Sequence, residues 1–330
     1  MSDALLLASF VVGAGVSLAT SWLLVTRLER IGAGAGLSEA LLGMLAALAA
    51  DSPEITSAVT ALAGGHERIG AGVVIGSNVF NLAALLGLGA IAAGRIVLHR
   101  RVLLFEGAAA VLLAATAVAA VVAGLPPVAG VFLCLIVLVP YVAVSSGPAR
   151  QRWLPSSWRR WLTTAVAEEE SELAGAFDHE RPRRRDVGVA LAAVLVVIGA
   201  SIAMEQTGST LGRRYGVPEI VLGGLILAAV TSLPNAVSAV YLATRGRGAA
   251  TLSTALSSNA INVLAGLLVP ALFVGLGARS GQTVLITVWY AGFTVAVLAL
   301  ALGGRGLGRA AGIIIVLGYA TFAATLALTA

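Results

Sequence analysis

The stretch Ala50-Asp51-Ser52-Pro53-Glu54 interrupts a hydrophobic run that otherwise reads as a membrane crossing. Carboxylates in the middle of such a run are costly and by default mark a functional site. Pro53 removes a backbone donor and opens the helix, so nearby carbonyls lose a partner where no water can replace it. A second polar cluster, Gly76-Ser77-Asn78-Val79-Phe80-Asn81, follows in the next apolar segment. The arrangement then recurs. A shift of 181 residues places Pro53-Glu54 on Pro234-Asn235, Asp51 on Ser232, Ser57-Ala58-Val59 on Ser238-Ala239-Val240, and Ser77, Asn78 and Asn81 on Ser258, Asn259 and Asn262. No gap is needed from Gly43 to Leu86 or, in the second copy, from Gly224 to Leu267. A repeat that keeps its proline and its intramembrane polar residues in register is a transporter signature.

Composition supports a membrane setting. Hydrophobic residues make up 58% of the 330 residues and charged ones 11%, against roughly 25% charged in soluble proteins, and mean hydropathy is +0.96. At ~20 residues per crossing the chain has room for about ten helices and no sizeable soluble domain. The pI of 10.1 does not point to nucleic acid, because the basic residues lie between apolar segments, where anionic headgroups are the natural partner. The single cysteine, Cys134, sits in an apolar helix and excludes a disulfide framework. Asp3, with no basic residues before the first apolar run, makes residues 4–26 a retained span rather than a cleaved signal.

Apolar runs predict ten helices, at 4–26, 37–63, 69–94, 102–123, 127–147, 187–206, 217–244, 249–275, 281–302 and 309–329. The fold class is therefore an all-α polytopic membrane protein, ten transmembrane helices as two inverted five-helix repeats. The first repeat is 1–147 (motif 43–86), the second 187–330 (motif 224–267), and a loop spans 148–186. All basic residues are arginine; seventeen, among them Arg27, Arg95, Arg150, Arg183, Arg245 and Arg305, fall after helices 1, 3, 5, 7 and 9. Arg68, Arg213, Arg214 and Arg279 lie on the other side. The positive-inside rule then places both termini outside and the 148–186 loop in the cytoplasm. Five helices per half invert the second copy, so the two proline motifs meet at the midplane. In the loop, Trp158, Trp161, Leu162 and Ala165 recur at helical spacing, as for a helix on the inner leaflet, before the acidic Glu168, Glu169, Glu170 and Glu172, read as a solvated linker. Gly72-x-x-x-Gly76 and its counterpart Ser253-x-x-x-Ser257 should let helices approach closely.

The motifs hold the oxygen inventory of a dehydrated cation, which needs carboxylates, carbonyls and amides in place of water. Asp51 and Glu54 share a helix face, as do Ser77 with Asn81 and Ser258 with Asn262; Asn235, Ser232 and Thr231 add neutral oxygens. A plainer reading is kept for Ser57 and Ser238, as bonds to neighbouring helices, and for Glu39, Glu106 and Glu205, as helix-end residues reaching water or capping a dipole. Pro140 reads as a kink.

At these residues the sequence resembles the cation/calcium antiporter superfamily, whose sodium/calcium exchangers carry two inverted repeats with a pattern close to Gly-Thr-Ser-x-Pro-Glu followed by Gly-Ser-Asn-x-x-Asn/Asp. The resemblance covers nearly the whole chain. It implies that Glu54, at the Pro-Glu position, is a central calcium ligand, and that Ser77, Asn81, Ser258, Asn262, Thr231 and Ser232 help bind sodium or calcium. Asn235 stands where the second glutamate is usual, Ala50-Asp51 where Thr-Ser is usual, and Asn262 where many relatives have aspartate. Two carboxylates are thus retained, both on one helix, as Asp51 and Glu54.

The expected function is secondary active antiport, Ca2+ against Na+ or H+, by alternating access, with helices 1 and 6, rich in small residues (Gly13, Gly15, Gly199), sliding across the site. Because two close carboxylates resist simultaneous ionisation, Na+/H+ or another cation/H+ exchange at Asp51 and Glu54 is the alternative. An intramembrane enzyme fails on inventory: His66, His99 and His179 lie in loops or at helix ends, leaving no buried Ser-His pair and no His/Cys metal cluster. A cation channel is disfavoured because the polar groups lie within one chain rather than in an oligomeric ring. No cofactor is expected beyond the transported ions. The Ala/Gly/Arg-rich, lysine-free composition points to a prokaryotic cell (inner) membrane.

Overall fold

Pro53 and Pro234 each occupy the first turn of a helix, where a missing N–H costs nothing, and each therefore ends the helix before it. The computed structural model describes residues 1–37, 39–145, 155–156, 160–164, 166–167, 183–277 and 279–330. Its helices are α1 (Asp3–Gly34), α2 (Glu39–Ala50), α3 (Ser52–Ala63), α4 (Glu67–Ala93), α5 (Arg100–Val121), α6 (Pro127–Ser145), α7 (Arg184–Arg214), α8 (Glu219–Thr231), α9 (Leu233–Thr244), α10 (Gly248–Val274), α11 (Gly281–Gly304) and α12 (Arg309–Thr329). Among the described residues, eight helices are long and apolar enough to cross a membrane, nine if α8 and α9, bent by 50° at Ser232, form one span. The second expected crossing, 37–63, is divided at Asp51 into the two shorter helices α2 and α3.

Burial separates the helices into a shell and a centre. Some 94% of the apolar window of α4 is buried inside the protein, against 28% in α1 and in α7 and 22% in α12. The centre is thus α4, with α10 beside it (61%). Both contain π-helical turns just past their polar clusters, Leu82–Leu88 in α4 and Asn262–Leu268 in α10. Such turns recur at functional sites because they re-aim side chains.

The close packing around α4 is made by absent side chains. A Cβ on Gly72 would lie 2.9 Å from the Gly224 nitrogen, and one on Gly76 2.2 Å from the Gly224 oxygen. The predicted glycine pair therefore does bring α4 against α8. At one end of the bundle, strands β1 (Arg95–Val97) and β2 (Gly306–Gly308) pair antiparallel, Ile96 opposite Leu307. Gly306 has φ +121°, and a Cβ there would meet the Ile96 oxygen at 2.2 Å, so only glycine fits.

Helices α1 and α7 run longer than hydropathy predicts, to Gly34 and Arg214 rather than residues 26 and 206. They are joined to each other along their length. Asp3 bonds Arg214 at one end, Ser17 Oγ and Ser201 Oγ lie 2.7 Å apart in the middle, and Arg27 pairs with Asp186 at 3.2 Å at the other end. Gly13 allows close approach, a Cβ there lying 3.1 Å from the Ala200 oxygen, whereas Gly15 and Gly199 face open space.

Four expectations are corrected. Glu205 is not a helix-end residue reaching water: α7 continues past it, and it is 2% exposed. Ser57 is buried with no hydrogen-bond partner, and Ser238 is exposed, so neither ties helices together. Leu162 and Val166 are buried against Val144, with Phe105 and Trp161 packed on them, so that segment turns its apolar face to protein rather than to the inner leaflet. Glu106 is 2% exposed and accepts a 2.7 Å bond from the Tyr141 hydroxyl, a partner within the protein rather than water. The Glu39 side chain, Trp158, Ala165, the cluster Glu168, Glu169, Glu170 and Glu172, and Arg150, Arg152, Arg159 and Arg181 lie outside the described residues.

Candidate functional site

Asp51 is the hinge residue between α2 and α3. Its N–H still donates to Ala47 O at 2.8 Å and its carbonyl accepts from Ile55 N at 2.9 Å, so the chain turns there without losing its ladder altogether. The carbonyls of Ala49 and Ala50, which Pro53 and the bend leave free, accept from Ser21 Oγ of α1 at 3.0 and 3.4 Å. Ser52 Oγ also donates to Ala49 O, at 2.6 Å.

Both carboxylates are fully buried and point into the polar cluster of the other half. Asp51 Oδ1 accepts from Asn235 Nδ2 at 2.5 Å and from Ser258 Oγ at 2.6 Å. Glu54 Oε1 accepts from Ser232 Oγ, and its Oε2 accepts from Asn262 Nδ2 at 3.1 Å. The two carboxyl groups also lie within hydrogen-bonding reach of each other. Asn81 Nδ2 donates to Ser258 Oγ at 3.0 Å, and Asn235 Nδ2 reaches the same hydroxyl at 3.2 Å. Asp51, Glu54, Asn81, Asn235, Ser232, Ser258 and Asn262 therefore form one connected cluster.

Two predicted residues stand apart from it. Ser77 Oγ donates to Ala228 O at 3.4 Å, and Thr231 Oγ1 donates to Leu227 O at 2.9 Å. Both are fully buried beside the cluster, with their hydroxyl protons turned to the backbone of α8.

The middle of the cluster is held by residues that the ligand inventory passed over. Asn78 Nδ2 donates to Asn259 O at 3.3 Å, and Asn259 Nδ2 returns the bond to Asn78 O at 3.1 Å. Asn81 Nδ2 reaches Asn259 Oδ1, and Asn262 Nδ2 reaches Asn78 Oδ1, both at 3.1 Å. Each bond is matched by its counterpart 181 residues away, so the exact spacing of the sequence repeat was the available signal. Tyr290 of α11, 1% exposed, is buried in the same core and has no tyrosine counterpart, since Ala109 stands 181 residues earlier.

Against this satisfied framework, Asp51 Oδ2, Asn81 Oδ1 and Asn262 Oδ1 are buried acceptors with no partner. Unpaired acceptors around two buried carboxylates suit a cation, which satisfies lone pairs that no protein donor reaches. Among the described residues no group of three His, Cys, Asp or Glu side chains stands ready to hold a metal. The donors are two carboxylates, amides and hydroxyls: a hard-cation set, unlike the His and Cys ligands of transition-metal centres.

The family model described as "Sodium/calcium exchanger protein" matches residues 5–146 and again 187–328. The chain belongs to that family. It is an integral membrane protein, and its kin are transporters rather than enzymes. Among curated exchanger-family relatives, sodium/potassium/calcium exchanger 4 of Mus musculus is 27% identical over 141 residues, 40% of this chain and 23% of that protein. The CaxA protein of Alkalimonas amylolytica is 36% identical over 84 residues, 25% of this chain and 26% of CaxA. The chain thus spans about a quarter of the length of the curated relatives it matches. Two solved exchangers share the fold. The H+/Ca2+ exchanger CAX superposes with a TM-score of 0.73 at 14% identity, covering 98% of this chain and 86% of CAX. The sodium-calcium exchanger NCX_Mj gives 0.61 at 20% identity, covering 98% and 99%.

Proposed function

We propose that this exchanger-family protein is a secondary antiporter that moves Ca2+ against Na+ or H+ by alternating access at a midplane site. In this reading its ten crossings form two inverted five-helix repeats, 1–147 and 187–330. The 148–186 loop is cytoplasmic, both termini are outside, and the membrane is a prokaryotic cell (inner) membrane with anionic headgroups facing the arginine-rich loops. The family match in two stretches and the paired asparagine bonds support the two-repeat layout.

One observation carries the functional reading: Asp51 and Glu54 are fully buried, side by side, among acceptors left without donors. Removing two carboxylates from water costs on the order of several kcal/mol per ion, and a cation between them offsets that cost. The ligands would be Glu54 and Asp51, with Ser77, Asn81, Asn235, Ser258, Asn262, Thr231 and Ser232 supplying neutral oxygens. Ion binding neutralises the pair and lets α1 and α7 slide across the site as a unit; an empty, charged site resists that crossing. Ser21, bonded to the Ala49 and Ala50 carbonyls, registers the slide at the hinge.

Cation/H+ exchange, including Na+/H+, is the second reading. It is favoured by the contact between the two carboxyls, which one proton could bridge, and by Asn235, which supplies no second glutamate. Calcium flux into proteoliposomes, under imposed sodium or proton gradients, separates the two. Calcium uptake driven by either gradient supports the first reading, and sodium–proton exchange without calcium movement supports the second.

A further inference from the structure

Glu205 takes no part in the central cluster, yet it is 2% exposed, inside a span, and its Oε1 has no partner. Nine residues separate it from the end of α7 at Arg214, about 14 Å of helix. Its surroundings are sparse: Ser209 lies one turn on, its Oγ donating to Gln206 O at 3.2 Å, and the Arg213 guanidinium acts on it through its charge. Above it, His66 joins α7 to the central bundle. Arg213 donates to His66 Nε2 at 3.1 Å, so the ring is a neutral tautomer whose Nδ1–H donates to Glu219 Oε1 at 3.1 Å.

Helix α3 packs against α7, and it carries the other orphan of this region. Ser57 is fully buried, and its Oγ has no partner. It stands one turn beyond Glu54, on the helix that ends at Ala63 just before His66. Glu205 stands eight residues before Arg213, which touches His66. Ser57 thus stands between Glu54 and His66 along the chain, and Glu205 between the middle of α7 and Arg213, on two helices that pack together.

We propose that Glu205 forms a second cation site, a way station for one monovalent cation between the His66 face and the Asp51–Glu54 pair. One carboxylate with the Ser57 and Ser209 hydroxyls gives a single negative charge and few oxygens. That suits Na+ and falls short of the six to eight oxygens Ca2+ takes. The His66–Arg213 bond closes the site from above, and because Arg213 belongs to the sliding helix, movement of α7 opens it. The way-station role rests on the exchanger reading; the site itself does not.

The test uses the full chain in detergent with the central pair disabled as Asp51→Asn/Glu54→Gln, and reads the melting temperature against NaCl in a choline chloride background. Sodium should still stabilise this protein. Adding Glu205→Gln should weaken the sodium response ~10-fold or abolish it, with Ser57→Ala as the milder variant should Glu205→Gln not fold. The proposal is overturned by a flat sodium response in the disabled protein, by a response indifferent to Glu205→Gln and Ser57→Ala, or by Ca2+ acting there as strongly as Na+. If wild-type vesicles show no exchange while the sodium response follows Glu205, the exchanger reading fails and the site stands. If exchange is intact and the response ignores Glu205, the site fails alone.

Discussion

Two helix contacts occupy equivalent places 181 residues apart and are built differently. Where α4 meets α8, Gly72 and Gly76 lie on Gly223 and Gly224 with backbones in contact. Where α10 faces α2, the counterparts are Ser253 and Ser257, and a cavity of 580 Å³ opens beside Ser257, lined also by Met44, Leu48, Glu106, Tyr141 and Leu264. Ser257 Oγ is buried there without a partner. A repeated sequence has thus given one closed seam and one loose one. The same asymmetry runs through the site, where both carboxylates belong to the first half and the second contributes amides and hydroxyls. Duplicated topology sets where groups stand; single substitutions decide which side is rigid and which side is charged.

The largest effect should come from the charge asymmetry. Glu54→Gln should abolish coupled cation flux in proteoliposomes, whereas Asn235→Gln, which keeps an amide, should leave measurable transport at reduced rate. Equal loss in the two variants would remove the distinction between the halves. Asp51 tests whether its carboxylate stands in for the missing second glutamate: Asp51→Asn should reduce divalent flux ~10-fold or more. Asn235→Glu alone sets a third carboxylate against Asp51 and should fail, while Asp51→Ser with Asn235→Glu, the arrangement of the resembling family, should recover flux. Divalent flux untouched by Asp51→Asn would show that the extra carboxylate compensates for nothing.

The seams give the next effects. Gly76→Ala places a methyl 2.2 Å from the Gly224 oxygen and should destabilise by about 1–3 kcal/mol or more, visible as loss of monodisperse protein or a fall in melting temperature. Ser21→Ala removes the donor to Ala49 and Ala50 carbonyls and should cost about 1 kcal/mol. Smallest of all, Ser257→Ala deletes an unpaired hydroxyl at the loose seam and should leave the melting temperature unchanged or slightly raised. A Ser257→Ala loss as large as that of Gly76→Ala would mean that the two seams are equally tight.

The broken centre was legible because it rests on short-range chemistry: proline at a first turn, carboxylates in an apolar run, and an exact repeat. Seven of the nine predicted ligands fall in one hydrogen-bonded cluster for that reason. Helix ends were legible only where the chain meets lipid. Arg27, Glu29, Arg30, Glu205, Arg213 and Arg214 make the ends of α1 and α7 look like loops, yet no proline there breaks a helix and ion pairs such as Arg27–Asp186 and Arg214–Asp3 hold the charges. Hydropathy reports exposure to acyl chains, and these turns face each other or water. The Asn78–Asn259 exchange was half-visible, since the repeat aligned the two residues but gave no sign that they touch. The three-residue β1–β2 ladder joins residues 209 to 213 positions apart, and its strands are too short for any periodicity to register.

The ties between α1 and α7 carry a mechanical consequence. With Asp3–Arg214 at one end, Ser17–Ser201 at the centre and Arg27–Asp186 at the other, the two helices behave as a stiff double rod. A rod rocking against a fulcrum lifts at one extremity only by dropping at the opposite one. In the antiport reading proposed above, leakage straight through the bilayer would require the pair to splay or buckle, so the pairing that makes it rigid would also guard against both mouths gaping together.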